Sequence, residues 1–140
     1  MTDWLALVIG NTRWHWAWFQ ESELKHVWHG EHLSSPQPPA LTLRSLGAQE
    51  PLPPQLLDGP LAAIDIWAVS VVPTQAQYLN ALSTVRWIHN IPLKKVYPTM
   101  GLDRVVTLWG AGQRYGWPVL VIAGGTALTF TAGTEGALVG

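Results

Sequence analysis

Cysteine is missing altogether from these 140 residues. Its absence removes disulfides, thiolate metal sites and thiol nucleophiles together, although it does not by itself fix the compartment. No apolar run reaches the length of a membrane span, and no basic flank precedes an apolar segment at the N-terminus. Neither an anchor nor a secretion signal is therefore expected, and the cytoplasm is the expected location. An excess of positive charge is lacking too. Eight Lys and Arg stand against nine Asp and Glu, for a net charge of −1, and the basic residues are scattered apart from Lys94-Lys95. That distribution argues against a nucleic-acid footprint. What the chain does have is apolar material, 48% of its residues, including nine tryptophans, enough to bury a real core in one domain or a little more.

Three of the tryptophans, Trp14, Trp16 and Trp18, fall at alternate positions and share one face of a strand, with His15 and Ala17 on the other. Such a face is most simply a packing surface against a helix layer or a subunit partner rather than a platform for bases or sugars. The strand carrying them belongs to the stretch that organises the chain. Leu5 to Ile9 reads as a buried strand, Gly10-Asn11-Thr12 as a tight polar turn, and Arg13 to Phe19 as the returning strand. In that turn Gly10 allows close backbone approach to a ligand, and Asn11 and Thr12 offer hydrogen-bonding side chains. It has the makings of a phosphate cradle, and equally of an ordinary hairpin loop.

A third strand over Leu24 to His29 completes an antiparallel meander. Prolines then crowd the stretch from about 33 to 60, which reads as connection, with a short helix from Thr42 to Leu46 capped by the threonine. Ile64 to Val72 is a second buried strand ending at Pro73. Thr74 is expected to cap a helix through Leu82, with Tyr78, Leu79 and Leu82 on one side, and Val85 to Ile88 is a further short strand. Leu93 to Thr99 reads as a loop. Met100 to Arg104 leads into a helix from Val105 to Tyr115, where Asp103 would cap the N-terminus and favour its dipole. After Gly116-Trp117-Pro118, a strand over Val119 to Ile122 breaks at Ala123-Gly124-Gly125-Thr126, Ala127 to Thr131 returns, and Glu135 to Gly140 opens another strand. The pattern of apolar strand, glycine and threonine turn, and returning strand thus occurs twice, more than a hundred residues apart.

In order and spacing, Ile9-Gly10-Asn11-Thr12, Gly101-Leu102-Asp103-Arg104 and Gly125-Thr126-Ala127 resemble the motif set of the type III pantothenate kinases, members of the actin, sugar kinase and Hsp70 superfamily. Val69-Ser70-Val71-Val72-Pro73 resembles the fourth-strand segment of that family. The similarity covers the whole chain but only the first half, or slightly more, of the family's length. It implies an α/β fold of the ribonuclease H-like (actin-like ATPase) kind, a mixed sheet with flanking helices. A complete first lobe over 1–115 would be followed by the opening strands of a second over 116–140.

The implied activity is transfer of the ATP γ-phosphoryl group to pantothenate, giving 4'-phosphopantothenate on the route to coenzyme A. By the resemblance, Gly10, Asn11, Thr12 and Thr126 bind ATP phosphates, while Tyr97, Gly101, Leu102, Asp103 and Arg104 bind pantothenate, with Asp103 as the general base. ATP with Mg2+ is the implied cofactor, together with a monovalent cation, K+ or NH4+. The family's two aspartates are replaced here by Val8 and Ala123, so no metal-ligating side chain is assigned; hard cations need oxygen ligands that neither residue supplies. His15, His26, His29 and His32 are spaced like metal ligands but read as surface or strand residues.

A second lobe stopped after its opening strands would expose edges and an apolar face, which calls for a partner chain, and a homodimer is expected. No nucleic-acid or membrane partner is expected. Two other readings compete with the kinase: a truncated or non-catalytic pantothenate-binding relative, and an α/β interaction module that presents the Trp14, Trp16 and Trp18 face to a partner.

Overall fold

Leu5, Leu7 and Ile9 alternate with less buried neighbours, and the alternation sets which side of the first strand faces the core. In the computed structural model, which describes residues 2–124 and 128–140, this strand, β1 (Asp3–Ile9), pairs antiparallel with β2 (Arg13–Gln20). β2 in turn pairs antiparallel with β3 (Glu23–Glu31). On its other edge β1 lies parallel to β4 (Asp65–Ser70), and β4 parallel to β5 (Val85–Trp87). The result is a mixed five-stranded sheet in the order β3-β2-β1-β4-β5, the mixed sheet expected of the actin-like fold.

One face of this sheet is the core. Trp14 and Trp16, 1% and 4% exposed, lie among Leu5, Leu7, Ile9, Ile66 and Ala68. Trp16 stacks on Trp28 with ring centroids 5.9 Å apart, and Trp18 donates its indole N–H to Asp3 Oδ1 at 2.9 Å. Trp14 and Trp16 are therefore interior and Trp18 is half-buried beside them, and the role of this face as an exposed docking surface is corrected: large indoles are packed into the core rather than left in water.

The covering layer is mostly not helix. Leu41, Leu43, Ala48, Leu52, Leu57 and Leu61 close the core from the proline-rich stretch, which holds a short 3-10 turn (Arg44–Leu46) and α1 (Pro54–Asp58). Leu43 stands at the cap position of that turn, so Thr42 is not its cap, although its hydroxyl accepts from the Ser45 N–H at 3.2 Å. α2 (Pro73–Gln77) begins on its proline with Val72 at the cap position, so Thr74 is not the cap. Beyond Gln77 the chain stays wound by three-residue bonds, from Tyr78 N–H to Gln75 O through Leu82 N–H to Leu79 O, a tighter turn than the expected helix through Leu82. Leu79 and Leu82 still reach the core.

The chain divides into two compact units, 1–88 and 89–140, so the sequence-based division at 115 falls inside the second. That unit is built on α3 (Leu102–Tyr115), whose buried residues Val105, Leu108 and Gly112 form one stripe. Its sheet comprises β6 (Val119–Gly124), β7 (Leu128–Thr134) and β8 (Ala137–Leu138), all antiparallel. Trp117 packs between two glycines: a Cβ on Gly112 or on Gly133 would run into its ring. Leu93, Met100 and Leu138 complete this second core. The opposite face of the sheet leaves Leu120, Ile122, Leu128 and Phe130 exposed. Among the described residues, no helix is long and apolar enough to cross a membrane.

Candidate functional site

The first group of expected site residues sits where β1 turns into β2. The Gly10 N–H donates to Arg13 O at 2.9 Å, which leaves Asn11 and Thr12 exposed at the tip. Gly10 is buried and its φ is not positive, and an added Cβ would meet only ordinary contacts, 3.5 Å from Arg13 O and 3.7 Å from the His15 ring. Its N–H is already committed within the turn. Gly10 therefore shapes this bend, with Asn11 and Thr12 exposed at its tip.

The bend is held from behind by His32, read from the sequence as a surface or strand residue, and by Gln75, which the sequence did not single out. His32 Nε2 lies 2.8 Å from the Gly10 carbonyl oxygen, which only a protonated Nε2 can satisfy. Gln75, 6% exposed, accepts from the Trp14 indole N–H at 2.9 Å and from the Leu33 N–H at 2.7 Å. Its amide nitrogen donates to Leu33 O at 2.8 Å. Of the other histidines, His15 and His29 form a cross-strand pair with Nδ1 atoms 2.9 Å apart.

The second group lies in the second unit, at the start of α3. Gly101 is the N-cap residue, in extended conformation, and Asp103 stands in the first turn without capping it. The expectation of a side-chain cap is corrected: Asp103 Oδ1 instead accepts from the adjacent Arg104 N–H at 2.9 Å. Leu102 packs against the second core. Arg104 extends its guanidinium between two hydroxyls. Nη1 donates to Tyr97 Oη at 2.9 Å, while Nη2 and Nε donate to Thr131 Oγ1 at 3.0 and 3.3 Å. Tyr97, Asp103 and Arg104 thus come together, with Thr131, 3% exposed, as a partner that the sequence did not reveal. Three of the five guanidinium N–H groups are engaged, and one remains on each terminal nitrogen.

Ala123 lies within β6, exposed and paired with Thr129 rather than in a turn. Val8 is half-buried, paired with His15 and Val69. Thr126 falls outside the described residues. No group of three His, Asp or Glu that could hold a metal occurs among the described residues. The side chains at positions 8 and 123 therefore do not fit a protein-held cation, and no chemistry is routed through one.

Compared with known proteins, residues 4–140 match the family model described as type III pantothenate kinase. The chain is 44% identical to the type III pantothenate kinase of Nostoc sp., over 96% of this chain and 52% of that protein. Identity is 41% to that of Thermosynechococcus vestitus, over 95% and 45%, and 40% to that of a Synechococcus strain, over 98% and 48%. The chain spans about half the length of the curated relatives it matches.

Proposed function

The chain belongs to the type III pantothenate kinase family, and on that premise we propose that the whole protein phosphorylates pantothenate with ATP. The observation that carries the proposal is the family's ordered motif set, at Gly10-Asn11-Thr12, Gly101 to Arg104 and Gly125-Thr126-Ala127, within a match over residues 4–140. In the proposed reaction Asn11 and Thr12, with Thr126, hold the ATP phosphates. Arg104, braced by Tyr97 and Thr131, binds the pantothenate carboxylate through its two remaining donors, and Gly101 and Leu102 shape the rest of that pocket. Asp103 takes the proton of the primary hydroxyl as its oxygen attacks the γ-phosphorus, and the bond from that phosphorus to the β-phosphate bridging oxygen breaks. Magnesium would enter with ATP as part of the substrate and would neutralise phosphate charge, with no side chain of this chain assigned to it. A homodimer acting in the cytoplasm is part of the proposal.

The test is formation of 4'-phosphopantothenate by the whole protein with ATP and pantothenate. A whole protein that binds neither compound refutes the proposal. Val8 and Ala123, which lack the carboxylates of the resemblance, favour one second reading, a relative that binds pantothenate without turning it over. Retained pantothenate affinity with no turnover supports that reading, and Val8→Asp with Ala123→Asp then restores activity if the rest of the site is intact.

A further inference from the structure

Two paths, each of hydrogen bonds joined by one step along the backbone, lead from Gln75 to the Gly10 bend. Along one, Gln75 Oε1 accepts from Trp14 Nε1 at 2.9 Å. Trp14 follows Arg13, whose carbonyl takes the Gly10 N–H at 2.9 Å. Along the other, the same amide grips Leu33 at both its N–H and its carbonyl, at 2.7 and 2.8 Å. The residue before Leu33 is His32, whose ring holds the Gly10 carbonyl oxygen at 2.8 Å. The N–H and the C=O of Gly10 are thus both fixed by a closed circuit through one buried side chain. A primary amide can accept two such bonds while donating a third, and in this position it is long enough to reach all three partners.

We infer that Gln75 is a positioning residue for the Asn11-Thr12 phosphate turn, acting through Trp14 on one side and through Leu33 and His32 on the other. The inference rests on the proposed role of that turn in ATP binding. Without the clamp the bend spends less of its time in the competent shape, and apparent ATP affinity falls by that lost fraction. The pantothenate segment gains nothing from Gln75, so its affinity does not follow.

The test uses Gln75→Glu in the whole protein. When protonated, a glutamic acid reproduces the amide: its carbonyl accepts and its O–H donates to Leu33 O. When ionised, it sets a negative oxygen against that carbonyl. Burial disfavours the ionised form of a carboxyl at such a position and pushes its titration up. The expected result is a KM for ATP, relative to wild type at the same pH, that rises about tenfold or more between pH 6 and pH 9, the scale of one buried hydrogen bond lost. KM for pantothenate stays within about twofold of wild type, since its site is not touched. Gln75→Leu, which no pH can rescue, is expected to keep a raised KM for ATP throughout. A Gln75→Glu ratio near one at every pH overturns the inference, as does a loss shared equally by both substrates that acid does not reverse. If wild-type protein itself fails to bind ATP, the functional reading falls and takes the inference with it. If wild type binds ATP and the variant matches it, the inference alone is wrong.

Discussion

Replacing Thr131 by valine keeps the shape of a residue that is 3% exposed and removes one oxygen. That oxygen accepts from Arg104 Nη2 at 3.0 Å and from Nε at 3.3 Å, so one substitution frees two guanidinium donors while Tyr97 keeps the third. Charge-assisted hydrogen bonds contribute about 1.5–3 kcal/mol each when buried. Arg104 is only half-buried and the Nε bond is long, so water recovers part of the loss, and about 1–2 kcal/mol remains to be lost from the fixed geometry of the side chain. In affinity that is a factor of roughly 5–30. The fold itself should change by less than about 1 kcal/mol, because a methyl replaces the buried hydroxyl while water reaches the half-buried guanidinium that loses it. Steady-state kinetics of Thr131→Val in the whole protein are expected to raise KM for pantothenate by that factor, with KM for ATP and the melting temperature little altered. An unchanged KM for pantothenate, or equal rises for both substrates, refutes the idea that Thr131 aims Arg104.

Leu108 is fully buried in the second core, and Leu108→Ala should cost about 2–5 kcal/mol by urea unfolding; a loss below about 1 kcal/mol would mean that the helix is not packed as described. Arg44 donates to both carboxylate oxygens of Asp58, at 2.6 and 3.1 Å, tying the 3-10 turn to α1. These hydrogen bonds are the main cause holding the Asp58 carboxyl below the usual carboxylate range, with desolvation opposing them. Because the folded-state value is lowered, the stabilisation is present above the unfolded aspartate value and is lost as pH falls through the folded one. Asp58→Asn should therefore flatten the acid limb of stability against pH, by a small amount because the pair is exposed and screened by salt. Identical acid limbs in the two proteins would contradict this.

The hairpins at both ends of the chain were legible in the sequence because each is local: an apolar alternation, a glycine-containing break and a return. The burial of Trp14 and Trp16 followed from their period alone. Gln75 and Thr131 were invisible for the opposite reason. Gln75 follows a proline in a five-residue helix, where an amide ordinarily faces solvent, and its partner Trp14 lies 61 residues away. Thr131 is one more β-branched residue in a strand, and its guanidinium partner lies 27 residues upstream. The leucines from 41 to 61 follow no helical or strand period, so their role as the cover of the core could not be read from spacing. Asp103 was expected at the cap because carboxylates favour helix starts; the extended Gly101 takes that place instead.

The most direct test of the account is to follow ATP-dependent conversion of pantothenate to 4'-phosphopantothenate by the whole protein and by its Asp103→Asn variant under saturating substrates. The expected result is product from the wild type and a kcat lower by about 10²–10⁴ in the variant, with KM for pantothenate nearly unchanged. Equal rates in the two proteins would contradict Asp103 as the base that activates the hydroxyl.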